Sequence, residues 1–237
     1  MVTNMPSQRN RTNIPDNRPI WEGLYASGKK INRYPHDAVV SFVLRTFGDV
    51  ERNKVRILDY GCGGGGNTVF IASSGFDLYA VDSSPTAVKL TAAAIRKIAP
   101  QQSRQVMLAD FATLPFADGF FSAIIDRQSL GQNLSDTLPG MVSEIRRVLA
   151  PGGIYFGINF SNQHPQLRYG EPLGNGGYHN FSEGVFKGIG ARHFFDEAEI
   201  RQLFADFDLI DIRIVTTRPL LNPESGSEEI CVTARRP

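Results

Sequence analysis

A glycine-rich run followed by an acid is the feature of this sequence best suited to bind a reactive cofactor. Residues 61–66 read Gly-Cys-Gly-Gly-Gly-Gly, and they lie between a strand pattern and a helix pattern in the G-x-G-x-x-G spacing. Glycines permit positive φ and let a ligand approach the N–H groups at a helix start. Asp82 follows about twenty residues later, where a carboxylate accepts ribose hydroxyls. Together they predict a nucleotide-type cofactor site, and NAD enzymes share both features.

Two further groups of residues distinguish between the possible cofactors. Asp59 stands two residues before Gly61, and an acid there favours a ligand with a cation, such as a sulfonium, over a pyrophosphate. Asp110 and Phe111 follow the third predicted strand, and they offer a carboxylate to an adenine amine and a ring to the base. These residues favour a sulfonium-bearing nucleoside over NAD.

Short apolar runs alternate with helical patterns from Val55 onward, which predicts a parallel sheet with crossover helices that positions these residues. Ser84 and Asp196 are placed to cap helices, the second in a capping box with Glu199. Two C-terminal runs, residues 210–214 and 230–234, alternate apolar and polar residues, as antiparallel strands near a sheet edge do. The parallel strands are predicted at residues 55–60, 78–81, 105–108, 123–125 and 154–158.

The series of motifs resembles that of the class I S-adenosylmethionine-dependent methyltransferases. The matching motifs are residues 59–65, Asp82, Asp110-Phe111 and the Leu-Ala-Pro-Gly-Gly of residues 149–153. The motifs cover residues 55–158, and the order of elements extends the resemblance to Arg236. The resemblance implies an α/β fold, a Rossmann-like three-layer sandwich with a mostly parallel seven-stranded sheet and an antiparallel C-terminal strand.

The resemblance also implies the cofactor, S-adenosyl-L-methionine, with S-adenosyl-L-homocysteine as product. Asp82 would hold the ribose, Asp110 the adenine amine, and Phe111 would lie beside the base. The glycines of the loop would pack on the methionine portion, whose ammonium would lie near the acid two residues before them. The other cofactor residues implied in or beside these motifs are Asp59, Gly61, Cys62, Gly63, Ser83 and Asp126, the last near the methyl group.

The residues after the fourth strand and the charge balance both favour a small-molecule acceptor. Arg-Gln-Ser at residues 127–129 stands where nucleic-acid and protein amide methylases of this class carry an Asn/Asp-Pro-Pro-aromatic motif. The chain has 25 basic and 24 acidic residues, a net charge of +1, so no global field attracts nucleic acid or an anionic membrane. We therefore expect a small-molecule acceptor and neither nucleic acid nor membrane as partner.

The N-terminal region divides into a tail and a cover for the site. Residues 1–18 are polar and predict a flexible tail, and residues 19–237 form one methyltransferase domain that opens with lid helices at 19–50. Trp21 and Tyr25 repeat a spacing similar to that of thiopurine-methyltransferase-like enzymes. Tyr25 is expected to cover the cofactor, or else to pack the helix onto the domain. Arg33 pairs with the methionine carboxylate or is solvated.

The acceptor side is predicted in a glycine-rich insertion, residues 161–194, with a hairpin around Gly184. The candidate acceptor-binding residues are Gln128, Asn133, His164 and His179. Methyl transfer from a sulfonium is an in-line displacement that needs mainly alignment and desolvation, so no catalytic base is assigned. The histidine spacing shows no metal pattern.

Two cysteines, Cys62 and Cys231, are too few for a disulfide framework or a structural zinc site, which indicates a reducing, cytoplasmic setting. The N-terminus lacks the apolar core of a signal peptide, and no run is long enough to span a bilayer. An NAD-dependent oxidoreductase and a non-catalytic S-adenosylmethionine-binding regulatory protein stay open as alternatives. Whether oxygen, nitrogen or sulfur accepts the methyl group is likewise open.

Overall fold

The computed structural model describes residues 16–237, which contain six α-helices and ten strands. The helices are α1 (Arg18–Ala26), α2 (Asp37–Phe47), α3 (Gly66–Ser73), α4 (Pro85–Ile98), α5 (Leu138–Val148) and α6 (Glu197–Leu203). The strands are β1 (Arg56–Tyr60), β2 (Asp77–Asp82), β3 (Val106–Leu108), β4 (Phe121–Arg127), β5 (Leu149–Phe160), β6 (Glu171–Gly174), β7 (Gly177–His179), β8 (Arg192–His193), β9 (Asp208–Thr217) and β10 (Ser227–Arg235).

Seven strands form the main sheet in the order β3-β2-β1-β4-β5-β10-β9. Strands β1 to β5 pair in parallel, whereas β10 pairs antiparallel with both β5 and β9. Helices α2, α3 and α4 bury apolar residues against one face, and α5 and α6 bury theirs against the other. The predicted three-layer fold, mostly parallel with antiparallel C-terminal strands, is confirmed.

Two helix starts follow from the predicted caps. Ser84 Oγ accepts the Ala87 N–H at 3.0 Å, and Asp196 Oδ1 accepts the Glu199 N–H at 2.8 Å. These bonds satisfy donors that have no partner within the first turn of a helix. The capping box differs from the prediction in its second half, because the Glu199 carboxylate lies 2.8 Å from His193 Nε2.

The segment between β5 and α6 contains two successive hairpins, which form the three-stranded antiparallel sheet β6-β7-β8. Strands β6 and β7 turn at Asn175 and Gly176, whose φ angles are 47° and 75°. Two consecutive residues with positive φ are what a two-residue hairpin turn requires, and Asn-Gly is the dipeptide that best supplies them. The predicted hairpin around Gly184 is the second of the two: Gly177 pairs with His193 and Tyr178 with Arg192, and the connection between β7 and β8, residues 180–191, contains Gly184. The hairpin at Asn175 and Gly176 was not predicted, although its Asn-Gly dipeptide was the available signal.

The structured domain begins within the predicted tail of residues 1–18, because α1 starts at Arg18. Residues 1–15 of that tail lie outside the described residues, but Asn17 is held by hydrogen bonds. Its Nδ2 donates to the carbonyls of Gln132 and Ala191 at 2.7 and 2.5 Å, and its Oδ1 accepts the Ala191 N–H at 3.0 Å. Asn17 thus joins the start of α1 to the insertion between β5 and α6.

The core on the α5 and α6 side supplies a stability test. Phe204 is 1% exposed and lies 4.9 Å from the Tyr155 ring, centroid to centroid. We expect Phe204→Ala to lower the free energy of unfolding by about 3–5 kcal/mol in urea denaturation, because it removes buried apolar area and leaves a cavity. Leu221→Ala, at a fully exposed side chain, is the control and should change it by less than about 0.5 kcal/mol. Equal effects would contradict the assigned core.

Candidate functional site

A cavity of about 650 Å³ opens at the carboxyl ends of the parallel strands. Its walls come from the loop after β1, the ends of β2 and β3, the turn after β4, and the segment that contains α1. Strand order reverses between β1 and β4, and ligands of open parallel sheets bind at such a reversal. The sheet therefore brings together loops that are far apart in the sequence.

The glycine loop forms the floor of the cavity and has no room for side chains. Gly61 and Gly63 have φ of 81° and 49°. A Cβ on Gly61 would lie 1.8 Å from Ser129 Oγ, and a Cβ on Gly63 would lie 2.8 Å from Tyr25 Oη. Both glycines and the intervening Cys62 line the cavity. The loop thus needs glycine both for its backbone angles and for the closeness of its neighbours.

Asp82 ends β2 with its carboxylate fixed by two backbone donors. Its Oδ2 accepts the Gly63 N–H at 2.8 Å, and its Oδ1 accepts the Ser84 N–H at 2.9 Å. Burial raises the pKa of Asp82, whereas these hydrogen bonds act to lower it. Each carboxylate oxygen keeps further acceptor capacity. Asp82 and the adjacent Ser83 both line the cavity, so a hydroxyl-bearing ligand would find an oriented acceptor there.

Asp110 and Phe111 lie at the next strand end along the sheet edge and also line the cavity. Asp110 Oδ1 accepts the Ala112 N–H at 2.8 Å, and its side chain is largely exposed. The Phe111 ring lies 4.6 Å from the Tyr60 ring, centroid to centroid. A carboxylate and a supported ring at this edge suit a planar base with an exocyclic amine.

Helix α1 covers the glycine loop, and Tyr25 is the part of it closest to the loop. Burial raises the pKa of the Tyr25 hydroxyl, and the nearby Asp82 raises it further, so the side chain is neutral. Glu22 fixes the helix, because its carboxylate accepts Ser84 Oγ and Thr86 Oγ1, each at 2.5 Å. No local sequence pattern indicates this role of Glu22, since its partners lie more than sixty residues away.

The turn after β4 supplies amide side chains to the opposite wall. Gln128 and Asn133 line the cavity as predicted acceptor residues, and Gln132, which the sequence analysis missed, lies between them. Gln132 Nε2 donates to the Gln128 carbonyl, and its Oε1 accepts the Trp21 Nε1–H at 3.1 Å. The position of Gln132 shortly after the end of β4 was the sequence feature that could have predicted its place in the cavity wall. Gln132 thereby links the lid to the acceptor side.

Two predicted cofactor acids are not among the residues that line the cavity. Asp59 is 2% exposed and accepts the Thr68 hydroxyl beneath the glycine loop. Burial raises the pKa of Asp59 to about 7. Asp126 is fully buried and accepts Ser129 N–H, Tyr155 Oη–H and Asn159 Nδ2–H at 2.7, 2.9 and 2.9 Å. Asp126 therefore organises the turn behind the cavity, and its predicted position beside the methyl group is wrong.

Three further predicted residues also lie elsewhere. Arg33 is exposed and does not line the cavity, whereas Lys30 does. His164 is 2% exposed within a cluster of aromatic rings, and His179 lies on β7 with its Nε2 3.5 Å from Glu171. The exposed Arg33 agrees with the solvated alternative. His164 and His179 do not reach the cavity because loop sequence does not fix which way a side chain points. Residues 16–237 contain no group of three or more His, Cys, Asp and Glu suited to a metal ion.

Residues 57–153 match the family model described as a methyltransferase domain. An uncharacterized methyltransferase of Synechocystis sp. is 37% identical over 100 residues, which are 42% of this chain and 44% of the relative. The chloroplastic tocopherol O-methyltransferase of Arabidopsis thaliana is 35% identical over 106 residues, which are 44% of this chain and 29% of the relative. The matches thus span less than half the length of these curated relatives.

Solved structures share the fold over most of the chain. The Burkholderia thailandensis 1,6-didemethyltoxoflavin-N1-methyltransferase, crystallised with that compound and S-adenosylhomocysteine, has a TM-score of 0.67 and 19% identity and covers 92% of this chain and 86% of its own. A Methanosarcina mazei S-adenosylmethionine-dependent methyltransferase has a TM-score of 0.65 and 17% identity, and the match covers 86% of this chain and 98% of that protein. The [4+2]-cyclase SpnF has a TM-score of 0.62 and 18% identity, and the match covers 94% of this chain and 98% of the cyclase. The resemblance to class I methyltransferases is confirmed, and at these identities the structures show the fold alone.

Asp126 generates the prediction for this site. We expect Asp126→Ala to lower the free energy of unfolding by about 2–4 kcal/mol, because several buried donors lose their shared acceptor. Chemical denaturation measures the change, with Asp49→Ala at an exposed position as the control. Equal stability of the two variants would show that the Asp126 hydrogen bonds do not hold the turn.

Proposed function

From its class I methyltransferase fold and the methyltransferase domain over residues 57–153, we propose that this protein transfers the methyl group of S-adenosyl-L-methionine to a small-molecule acceptor, releasing S-adenosyl-L-homocysteine. The observation that carries the proposal is the oriented carboxylate of Asp82 beside a glycine loop in one cavity. A ribose with two free hydroxyls fits that acceptor, because each hydroxyl donates one hydrogen bond.

The residues around the cavity fit this cofactor in three places. Gly61 and Gly63 line the cavity without side chains, so the methionine portion would lie directly against the loop backbone. Asp82 would accept the ribose hydroxyls, with Cys62 and Ser83 on either side. Asp110 and Phe111 would hold the adenine by its amine and its face.

Catalysis in this proposal consists of alignment and exclusion of water. The bound cofactor supplies an electrophilic methyl group on a positively charged sulfur. Helix α1 covers the site through Tyr25, and the Glu22 hydrogen bonds to Ser84 and Thr86 keep that cover in place. The ring faces of Tyr25 and Trp21 also suit a nearby cation. A buried and aligned acceptor atom then needs little further chemical help for in-line displacement.

The acceptor would occupy the end of the cavity opposite the adenine residues. Gln128, Gln132 and Asn133 present amide groups there, and Leu134 and Met141 present apolar surface. A small polar compound with an apolar body fits such a wall, and the volume of about 650 Å³ beneath α1 lies in the range of small-molecule sites. Two similar proteins are methyltransferases named after small molecules, tocopherol and 1,6-didemethyltoxoflavin.

The proposal includes a reducing, cytoplasmic setting and no partner made of nucleic acid or membrane. Cys62 and Cys231 are both buried and unpaired, as expected of thiols that need no oxidising compartment. No helix within residues 16–237 is long and apolar enough to cross a membrane. The net charge of +1 supplies no general attraction for phosphates.

A cofactor-binding test separates this proposal from an NAD enzyme. We expect Asp82→Asn to weaken binding of S-adenosylhomocysteine by roughly 5–150-fold in calorimetry, corresponding to about 1–3 kcal/mol, because an amide replaces the charged acceptor. Asp77→Asn, at the far end of the same strand, is the matched control and should bind like the wild type. Unchanged affinity in Asp82→Asn, or tighter binding of NAD by the wild type, would contradict the site assignment.

An acceptor test uses labelled methyl in a cell extract. We expect the active protein to move label from S-adenosylmethionine into dialysable products, with none in DNA, RNA or protein, because the covered cavity admits only small molecules. Asp82→Asn is the low-activity control. Label in the macromolecular fraction would overturn the small-molecule part. Tight cofactor binding without any transfer would favour a regulatory role or, as the cyclase with this fold illustrates, another reaction.

A further inference from the structure

A second group of buried polar side chains lies beneath the insertion between β5 and α6, outside the cavity lining. Its members are Arg192 on β8 and His164 just after β5, which are 3% and 2% exposed. Both pack against the rings of Phe160 and Phe186. We refer to these four residues as the Arg192 cluster. None of them lines the cavity in which the cofactor and the acceptor are proposed to bind.

The guanidinium of Arg192 is buried, and residues 16–237 supply neither a counter-ion nor a complete set of acceptors for it. Its Cζ lies 4.9 Å from the centroids of both the Phe160 and Phe186 rings, and its Nε and Nη2 have no hydrogen-bond partner among the described residues. Burial, together with the like charge of Arg127, lowers the pKa of Arg192 to about 9. The group therefore stays charged near neutral pH, and ring faces alone compensate it.

His164 contributes another donor of the same kind. Its Nδ1 accepts the Gln166 N–H at 3.2 Å, so in the neutral ring the hydrogen is on Nε2. Burial lowers the pKa of His164 to about 4, and the Arg192 charge acts in the same direction. The ring is therefore neutral, and its buried Nε2 has no hydrogen-bond partner within residues 16–237. The cluster thus contains three N–H groups and one positive charge to which the described part of the chain supplies no acceptor.

Such an arrangement is costly in a folded protein unless something fills it. Buried polar groups in native proteins are nearly always hydrogen-bonded, and a buried charge that lacks a counter-ion destabilises the fold. Two rings at 4.9 Å stabilise the guanidinium only in part, because a cation on an aromatic face gains much less than it loses by desolvation. The ligand that would satisfy several N–H donors and one positive charge is an anion with more than one oxygen.

We propose that Arg192 and His164 form a buried binding site for a small oxyanion. The guanidinium would donate from Nε and Nη2 to the oxygens of the anion, and His164 Nε2–H would add a third donor. Trp21 connects the two regions, since it lines the cavity and also packs against the apolar core group to which Phe186 belongs. The oxyanion therefore has two possible sources: a carboxylate group on the acceptor, or free inorganic phosphate.

The test measures the melting temperature of the full-length protein and needs neither cofactor nor acceptor. Sodium formate or sodium phosphate replaces sodium gluconate at constant ionic strength, because the bulky gluconate anion does not fit a buried site. At ten times its dissociation constant, a bound anion should raise the wild-type melting temperature by about 3–6 °C. A response to formate identifies a carboxylate ligand, and a response to phosphate alone identifies the free anion.

Three variants decide whether the shift comes from the Arg192 cluster. Arg192→Met should lose the anion response, and without anion it should melt at or above the wild-type temperature, since it removes an uncompensated charge. His164→Phe keeps an aromatic ring but removes the Nε2–H donor, so it should reduce the anion response. It also replaces Arg192→Met as the test if that variant does not fold. Arg168→Met is the matched control, because Arg168 also covers a ring, that of Tyr169, but is exposed and pairs with Glu224. It should respond like the wild type.

Two results would overturn the proposal. One is a wild-type melting temperature that depends on neither formate nor phosphate. The other is an anion response that survives unchanged in both Arg192→Met and His164→Phe. Neither result bears on cofactor binding, which Asp82→Asn tests separately, so this inference and the proposed methyl transfer can fail independently.

Discussion

The carboxylate of Asp82 joins the two loops that build the cofactor end of the cavity. It accepts one N–H from the glycine loop, at Gly63, and one from its own turn, at Ser84. Ser84 in turn donates its hydroxyl to Glu22 on the covering helix. A single buried acceptor therefore sets the distance between loop, strand end and cover. The cost of burying that carboxylate is offset by the backbone donors it satisfies.

At the end of the cavity proposed for the acceptor, a second buried carboxylate, that of Asp126, fixes the backbone. The Asp126 carboxylate accepts hydrogen bonds from the turn after β4 and from two side chains of β5. The amides of Gln128, Gln132 and Asn133 face the cavity because that turn is fixed. The two ends of the cavity thus differ in character. One offers a charged acceptor to a ligand, and the other offers neutral amides whose partner is set by shape.

The cover and the insertion form one connected layer above these ends. Asn17 bridges the start of α1 to Ala191, and Gln132 accepts the indole N–H of Trp21. Behind that layer, Arg192 and His164 lie among aromatic rings with donors unpaired. Three of the buried polar atoms that lack a partner among the described residues, two on Arg192 and one on His164, thus lie behind the region proposed to receive an acceptor. Such sites depart from the usual pairing of buried groups where binding requires it.

The sequence by itself determined the fold class, the order of the elements and the place of the glycine loop with Asp82, because these follow from local spacing and periodicity. Asp110 and Phe111 reached the cavity for the same reason, as both follow a strand end. Asp126 satisfied that rule of position too, yet its side chain points into the protein. Only the tertiary structure decided which side chains at strand ends face the cavity, and it alone brought Arg192 beside His164. Those outcomes depend on packing between segments distant in sequence, which no local pattern records.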